Sequence, residues 1–344
     1  MFDFSSRLIE WQKSHGRHDL PWQNTRDPYA VWLSEIMLQQ TQVATVIPYF
    51  HRFLARFSDL ASLAKASQDE VLAHWSGLGY YSRARNLHRA AQMIMQQQGG
   101  RFPDDFESLM ALPGIGRSTA AAVSVFAFGQ RQAILDGNVK RVFTRFFGIE
   151  GYPSEKKIEQ DLWAQAEQLL PRQGIEIYTQ ALMDLGATIC TRSKPKCLAC
   201  PLQNDCIAYA QNRVTELPSP KPRKALPQRE TVMLIMLRQG EVLLEKRPPS
   251  GIWGGMWSFP EIDRASDCVH ICSINYGVEA RLAAPLSCLD HTFTHFKLRI
   301  FPQPLHVIEI HTRVNQASHL WLNLDDALSA AIPTPVRKLL CQIK

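Results

Sequence analysis

The sequence of 344 residues has no long apolar run: the longest nearly apolar stretch, Ala120 to Phe128, falls far short of the roughly 20 residues that cross a bilayer. The opening MFDFSSRLIEWQKS mixes acidic and basic residues and lacks the apolar core of an export signal, so a cytoplasmic protein without membrane attachment is expected. Internal repeats and low-complexity tracts are also missing, and 45% hydrophobic against 20% charged residues excludes a disordered chain. At about 100–200 residues per domain, the length allows two or three domains with sizeable cores. Acidic residues number 32 against 38 Lys and Arg, and the formal charge of +6 favours a polyanionic partner.

Cysteine is sparse except in one place. Cys190, Cys197, Cys200 and Cys206 crowd into 17 positions, while Cys268, Cys272, Cys288 and Cys341 are scattered. In a reducing compartment the cluster reads as a metal site and the rest as ordinary thiols. The spacing Cys-x6-Cys-x2-Cys-x5-Cys suits a [4Fe–4S] cluster or a structural Zn²⁺, and spacing leaves the two open. Arg192, Lys194 and Lys196 lie between the first two cysteines, so the loop offers positive charge to a phosphate backbone or only to solvent.

Residues 213–229, with four prolines, five basic residues and one acidic one, read as an extended, semi-rigid linker. Before it, segments such as Glu70–His74, Arg83–Gln97 and Ile158–Leu170 space apolar residues by three and four, which predicts an almost all-α region over 1–212. After it, TVMLIMLRQGEVLLEKR holds two β-type runs joined by Arg238-Gln239-Gly240, and His291–Phe301 alternates as a strand does. A small α+β domain is expected over 230–344.

Three segments carry chemistry. The 23 residues from Pro28 to Phe50 hold one formally charged side chain, Glu35. Asp27 and Pro28 predict an N-cap and first helical position, and a mostly buried helix would follow with Val31, Glu35, Leu38 and Gln42 on one face. Burial raises a carboxyl pKa and makes a general acid at neutral pH; a structural Glu paired with an arginine is the alternative. Residues 104–129 predict two helices joined by Leu112-Pro113-Gly114-Ile115-Gly116, whose glycines allow positive φ and expose amides to a phosphodiester, or else form a plain turn between core helices. Small Ala120, Ala121 and Ala122 would let those helices pack closely. Asp136 either caps the helix after Gly137 or serves as a second carboxylate across from Glu35, the pairing that cleaves glycosidic bonds.

Together WLSEIMLQQTQ, LPGIGRSTA, LDGNVKRV and the four cysteines resemble the endonuclease III superfamily of helix-hairpin-helix DNA glycosylases, and within it the MutY adenine DNA glycosylases. The resemblance covers nearly the whole chain. It implies a multidomain protein: an all-α helix-hairpin-helix DNA glycosylase region with an iron–sulfur cluster loop at 190–206, then an α+β Nudix-like domain. The cofactor would be one [4Fe–4S] cluster per chain, and the partner duplex DNA carrying A:8-oxoguanine or A:G mispairs, bound by a monomer. By motif, Glu35 would protonate the flipped adenine at N7 and later activate water, Asp136 would stabilise the sugar cation, and Asn138 would orient the site. Gln40 and Tyr80 (in GLGYY) match residues that wedge into the stack, Thr41 is a further DNA-binding residue, and Leu112, Gly114, Gly116 and Ser118 belong to the DNA-binding hairpin. Bifunctional relatives carry a Schiff-base lysine where this chain has Ser118, so a monofunctional enzyme is implied, although nearby Lys140 could support slow side chemistry. In the second domain Phe293, Thr294 and His295 would read 8-oxoguanine, with Thr294 where most members carry serine. The span Asp263–Gly277 lacks the REx2EExG helix that holds Mg²⁺ in Nudix hydrolases. The rival readings are a bifunctional pyrimidine glycosylase, a nucleotide-pool Nudix hydrolase, and a non-enzymatic iron–sulfur DNA-binding or sensing protein, which has no need for Glu35.

Overall fold

A computed structural model describes residues 3–221, 225–311 and 318–344. Helices α1 (Phe4–His15), α2 (Pro28–Leu38), α3 (Val43–Arg56), α4 (Leu60–Lys65), α5 (Gln68–Trp75), α6 (Ser82–Gln97), α7 (Phe106–Met110), α8 (Arg117–Phe128), α9 (Gly137–Phe147), α10 (Lys156–Gln168), α11 (Ile175–Asp184) and α12 (Ile207–Ala210) precede the first strand. Strands β1 (Gln228–Arg238), β2 (Glu241–Lys246), β3 (Trp257–Ser258), β4 (Glu261–Ile262), β5 (Val278–Leu282), β6 (Leu289–Thr292), β7 (Lys297–Ile310) and β8 (His319–Asn323) follow, with α13 (Cys268–Tyr276) before β5 and α14 (Leu324–Ser329) and α15 (Thr334–Ile343) at the end. An all-α part is thus followed by an α+β part, as expected. Two compact units result: Met1–Ala64 with Arg89–Arg223, and Lys65–His88 with Lys224–Lys344. Residues 65–88, which the sequence reading keeps within the helical 1–212, therefore group with the C-terminal residues.

In the first unit α1, α8, α9 and α11 enclose a core of Phe4, Leu8, Ala121, Val125, Val139 and Phe143 among others. Phe4 meets Phe146 edge-on at 4.9 Å and Phe143 at 5.8 Å. Each large side chain so buried contributes roughly 1.5–3 kcal/mol. Ala120 and Ala121 are fully buried, and the small side chains let α2 and α8 pack together. Asp27 caps α2 by accepting from the Tyr29 amide at 3.1 Å, with Pro28 in the first turn.

The single helix expected over 28–50 does not form. It breaks at 39–42, where Gln40 takes φ 56° and the Gln39 side chain donates to Thr119 Oγ1 at 3.2 Å, so Gln42 caps α3 and leaves the helix that carries Glu35. No Gly or Pro marks this break; a tertiary hydrogen bond fixes it. The linker also departs from the extended form expected. Leu217 is buried and its carbonyl accepts from Arg145 Nε at 2.8 Å, while Arg213 pairs with Glu150 at 2.7 Å, so the first half lies pinned to the helices. Its residues 222–224 lie outside the described residues.

The second unit is built on a mixed sheet of order β3-β2-β1-β7-β5, with β8 on β2, β4 on β1 and β6 on β7. β1 and β7 are parallel from Gln228↔Lys297 to Leu237↔His306. Central β1 is covered on both faces, which is why it reads as a continuous apolar run rather than an alternation. The β1–β2 turn is Gln239-Gly240, both at positive φ, the backbone a two-residue hairpin requires. Residues 65–88 join this unit through Asp69, which takes Lys246 and, at 3.3 Å, Trp257 Nε1, and through Ser76, which donates to the Ile332 carbonyl at 2.7 Å. His291–Phe301 is a hairpin and not one strand: the Phe293 amide bonds the Phe296 carbonyl at 2.9 Å, turning β6 into β7.

Candidate active site and nucleic-acid interface

α2 is buried almost all round, and Glu35 opens from it into a cavity of about 530 Å³. Among the described residues no hydrogen-bond donor reaches the Glu35 carboxyl, and burial first, then the charge of Asp136, pushes its pKa up to about 8. No arginine pairs with it, which removes the structural alternative. Asp136 accepts from the amides of Asn138 at 2.9 Å and Val139 at 2.7 Å, capping α9. Burial also raises Asp136, but those two amides, Arg141 and Lys140 oppose the rise. Of the two coupled carboxyls, Asp136 therefore ionises first and Glu35 keeps the proton. The cap and the second carboxylate are one arrangement rather than alternatives.

Asn138 Oδ1 accepts from Arg141 Nη2 at 2.9 Å; the same guanidinium bonds the carbonyls of Gly186 at 2.6 Å and Cys190 at 2.7 Å. Gly186 lies in a π-helical turn, Leu185–Ile189, where a Cβ would sit 2.6 Å from Asn138 Cβ. Lys140 is engaged by Glu159 at 2.6 Å. Sequence reasoning missed the far wall of the cavity: Arg17, Leu20, Trp22, Gln180 and Met183. Arg17 is held by fully buried Asp184, through Nη2 at 2.6 Å and its own amide at 2.8 Å, and Gln180 bonds the same carboxylate at 2.9 Å. These residues lie far apart in sequence and belong to no motif, so only the fold assembles them.

In the hairpin only Gly114 uses positive φ, at 80°; Gly116 is extended and caps α8. Leu112 is buried and its carbonyl takes the Ile115 amide, so it shapes the loop from beneath. Ser118 Oγ accepts from the Leu135 amide at 3.1 Å, tying the hairpin to the segment that leads to Asp136. Gly116 is exposed and a Cβ there would meet nothing within 4 Å. Gly116→Ala is therefore expected to leave the melting temperature unchanged while weakening duplex binding about tenfold, because only an approaching backbone would meet the methyl. Thermal melts beside an anisotropy titration check it, and unchanged binding would count against the phosphate role. Gln40 and Tyr80 both hold positive φ, 56° and 48°, and are exposed, the strained placement common at functional loops; Thr41 donates its amide to the Leu38 carbonyl.

The four clustered cysteines line one small cavity beside Arg145. They form no disulfide, and burial pushes the Cys200 thiol up to about 12. Four thiols lining one cavity are the donor set of a metal centre, and they fit either a [4Fe–4S] cluster or a structural Zn²⁺. Buried Arg145 spans the loop, bonding the carbonyls of Thr191 at 2.7 Å and Arg192 at 3.1 Å and the Cys190 sulfur at 3.4 Å. Arg192, Lys194 and Lys196 face solvent.

In the second unit a cavity of about 500 Å³ is lined by Tyr80, Arg85, Trp253, His291 and the turn Phe293–His295. Phe293 stacks on Phe296 at 4.6 Å, leaving Thr294 and His295 exposed at the tip. Burial and Lys338 lower the His291 pKa, keeping that ring neutral.

A family model described as HhH-GPD superfamily base excision DNA repair protein matches residues 33–168, and one described as NUDIX domain matches 231–342. The adenine DNA glycosylase of Buchnera aphidicola subsp. Acyrthosiphon pisum is 38% identical over 343 residues, 99% of this chain and 97% of that protein. That of Homo sapiens is 34% identical over 403 residues, 98% of this chain and 73% of that one. Among solved structures, a thermostable thymine-DNA glycosylase is 32% identical with a TM-score of 0.56, covering 60% of this chain and 95% of that one. An endonuclease III–DNA complex, 22% identical with a TM-score of 0.53 over 60% of this chain and 94% of that one, shares the fold.

Proposed function

The chain belongs to the adenine DNA glycosylase family, and from that premise we propose that it removes adenine mispaired with 8-oxoguanine or guanine from duplex DNA, hydrolysing the N-glycosidic bond and leaving the strand uncut. The observation that carries this is Glu35, with no hydrogen-bond donor among the described residues, opening into a cavity of about 530 Å³, while Asp136 is held by two amides. The adenine, extruded from the stack, enters that cavity, and Glu35 protonates N7. The bond to C1′ breaks with its electron pair going to the departing base, and Asp136 stabilises the positive sugar. Glu35, now ionised, takes a proton from the water that adds to C1′. Asn138, held by Arg141, orients this pair, and Arg17 and Gln180 supply polar contacts to the base edge.

Gln40 and Tyr80 fill the gap left in the duplex, the hairpin amides and the loop cations Arg192, Lys194 and Lys196 hold phosphates, and Phe293-Thr294-His295 reads 8-oxoguanine. Ser118, engaged by the Leu135 amide, offers no amine for a Schiff base, which supports a monofunctional enzyme over the bifunctional reading. α13, with the sequence CVHICSINY, contains no acidic residue and so lacks the carboxylates by which the REx2EExG helix of Nudix hydrolases holds Mg²⁺, which supports a non-hydrolytic second domain. Cys190, Cys197, Cys200 and Cys206 would hold one [4Fe–4S] cluster per chain; when bound, it supplies the positive iron that keeps four thiolates together and orders the basic loop. A monomer engaged with chromosomal DNA is the working form.

Single-turnover excision tests the reading, with adenine opposite 8-oxoguanine, opposite guanine and opposite thymine. Release from the first two only, with strand breaks appearing only after alkali, is the expected result. Absence of excision by protein that binds the duplex would overturn it in favour of a binding or sensing protein.

A further inference from the structure

Arg85 differs from the ion-paired cations of its unit. Lys246 meets Asp69, Arg247 meets Glu261 at 2.7 Å, and Arg299 meets Asp290 at 2.9 Å. Arg85 is half-buried in the wall of the 500 Å³ cavity, and no carboxylate among the described residues pairs with it. Of its five N–H donors one is spent, Nη1 to the Gly254 carbonyl at 2.8 Å. Partial burial lowers its pKa, the mark of a cation with no counter-charge. A desolvated cation with donors unspent is expensive to keep, and an arriving anion offsets that cost.

The carbonyl that holds Arg85 is itself fixed. The loop from Pro248 to Met256 runs through positive φ at Gly251 (86°), Trp253 (52°) and Gly255 (73°). A Cβ on Gly254 would lie 2.6 Å from the Pro249 carbonyl oxygen, so the backbone there is closely folded on itself. A bulky tryptophan at positive φ costs on the order of 1–3 kcal/mol, a strain kept mainly at functional loops. Trp253 packs at 5.8 Å from His291 and 5.5 Å from Phe293, joining this loop to the turn that carries Thr294 and His295. The guanidinium is thus held by a stiff rim, beside the aromatic turn, with donors left over.

We propose that Arg85 binds a backbone phosphate of the DNA strand that carries the base opposite the adenine, and fixes that strand's register against the Phe293–His295 turn. The free edge of a guanidinium matches two phosphate oxygens, a fit that a lysine ammonium meets only as a point charge. The assignment rests on the reading of 293–295 as the contact to the opposite base, and it adds a residue that no sequence motif singled out.

The test measures binding of full-length protein to uncut duplex across a salt series, in a Glu35→Gln background so that no base is lost. Arg85→Gln is expected to weaken binding about tenfold for A:8-oxoguanine and A:G duplexes alike, and to reduce the slope of log K against log salt by about 0.9, one phosphate's worth. Arg85→Lys keeps the slope and loses part of the affinity. A neutral methylphosphonate, placed in turn at each position flanking the opposite base, weakens the Arg85-containing chain at one position and leaves Arg85→Gln indifferent there. This arm needs only the Arg85-containing protein to find its position, so it stands if the glutamine variant folds poorly. An unchanged salt slope in folded Arg85→Gln, or no sensitive methylphosphonate position, overturns the proposal and leaves Arg85 as a tie to Gly254. Because both arms use uncut DNA, failure of adenine excision registers separately.

Discussion

Glu35→Gln is expected to lower the single-turnover rate of adenine excision by about 10²–10⁴-fold, the range that a positioned general acid supplies, while duplex binding is retained. The amide fills the same space but cannot give up a proton to N7. With Glu35 pushed up to about 8, the rate in the unsubstituted chain should be flat through neutral pH and fall about tenfold per unit above it, as the acid deprotonates. A rate that rose through pH 8, or a fully active glutamine variant, would remove Glu35 from the chemistry. The same carboxyl sets a pH trend in stability. Its pKa is raised in the folded chain from an ordinary value of 4.5, so folded and unfolded forms are both protonated below that value and no penalty exists. Between about 4.5 and 8 the unfolded chain loses the proton that the folded chain retains, and stability falls as pH rises. Glu35→Gln should therefore melt a few degrees higher at pH 8.5, with the gap closing near pH 4.5. Thermal melts at the two pH values read this directly.

Cys200→Ala is expected to abolish the visible absorption and bound iron of the purified protein and to reduce excision by at least about tenfold at saturating DNA-binding conditions. The route of the loss is structural. Arg145 bonds the carbonyls of Thr191 and Arg192, and Arg141 joins the Cys190 carbonyl to Asn138, so a loop that loses its centre releases both arginines. Asn138 then loses the partner that orients it, and the basic residues 192, 194 and 196 lose their register toward phosphate. Iron and acid-labile sulfide, measured beside excision, decide the matter. Full activity in metal-free protein would show the loop to be independent of its centre, and zinc without sulfide would replace the cluster assignment.

Much of this site is legible in the sequence because each signal is local. Glu35 is a single charge in an apolar segment, Pro113-Gly114 interrupts two helices, and four cysteines share a short loop. Local patterns fail where tertiary contacts choose the backbone. Nothing in Gln39-Gln40-Thr41-Gln42 announces the break of the helix, which depends on Thr119, 80 residues away. Arg17, Asp184 and Gln180 assemble the far wall of the cavity from elements 167 residues apart, with no spacing to reveal them. The grouping of residues 65–88 with the sheet is likewise invisible in their helical pattern, because it is made by tertiary contacts, among them the bonds that Asp69 accepts from Lys246 and Trp257 and those that Ser76 and Arg85 donate to distant carbonyls. The alternation over His291–Phe301 is real, but a turn within it changes one strand into a hairpin that carries two exposed side chains at its tip.

The two amides that grip Asp136 have a use beyond holding it. A hydrogen bond to a carboxylate is stronger than one to a carboxylic acid, so the Asn138 and Val139 protons sense the charge of the group they bind. Their nitrogen-15 resonances and exchange rates form a gauge of the active site's ionisation that can be read in resting protein, with neither DNA nor turnover. A helix cap usually reports only on folding; here the first turn of α9 is also an internal pH electrode.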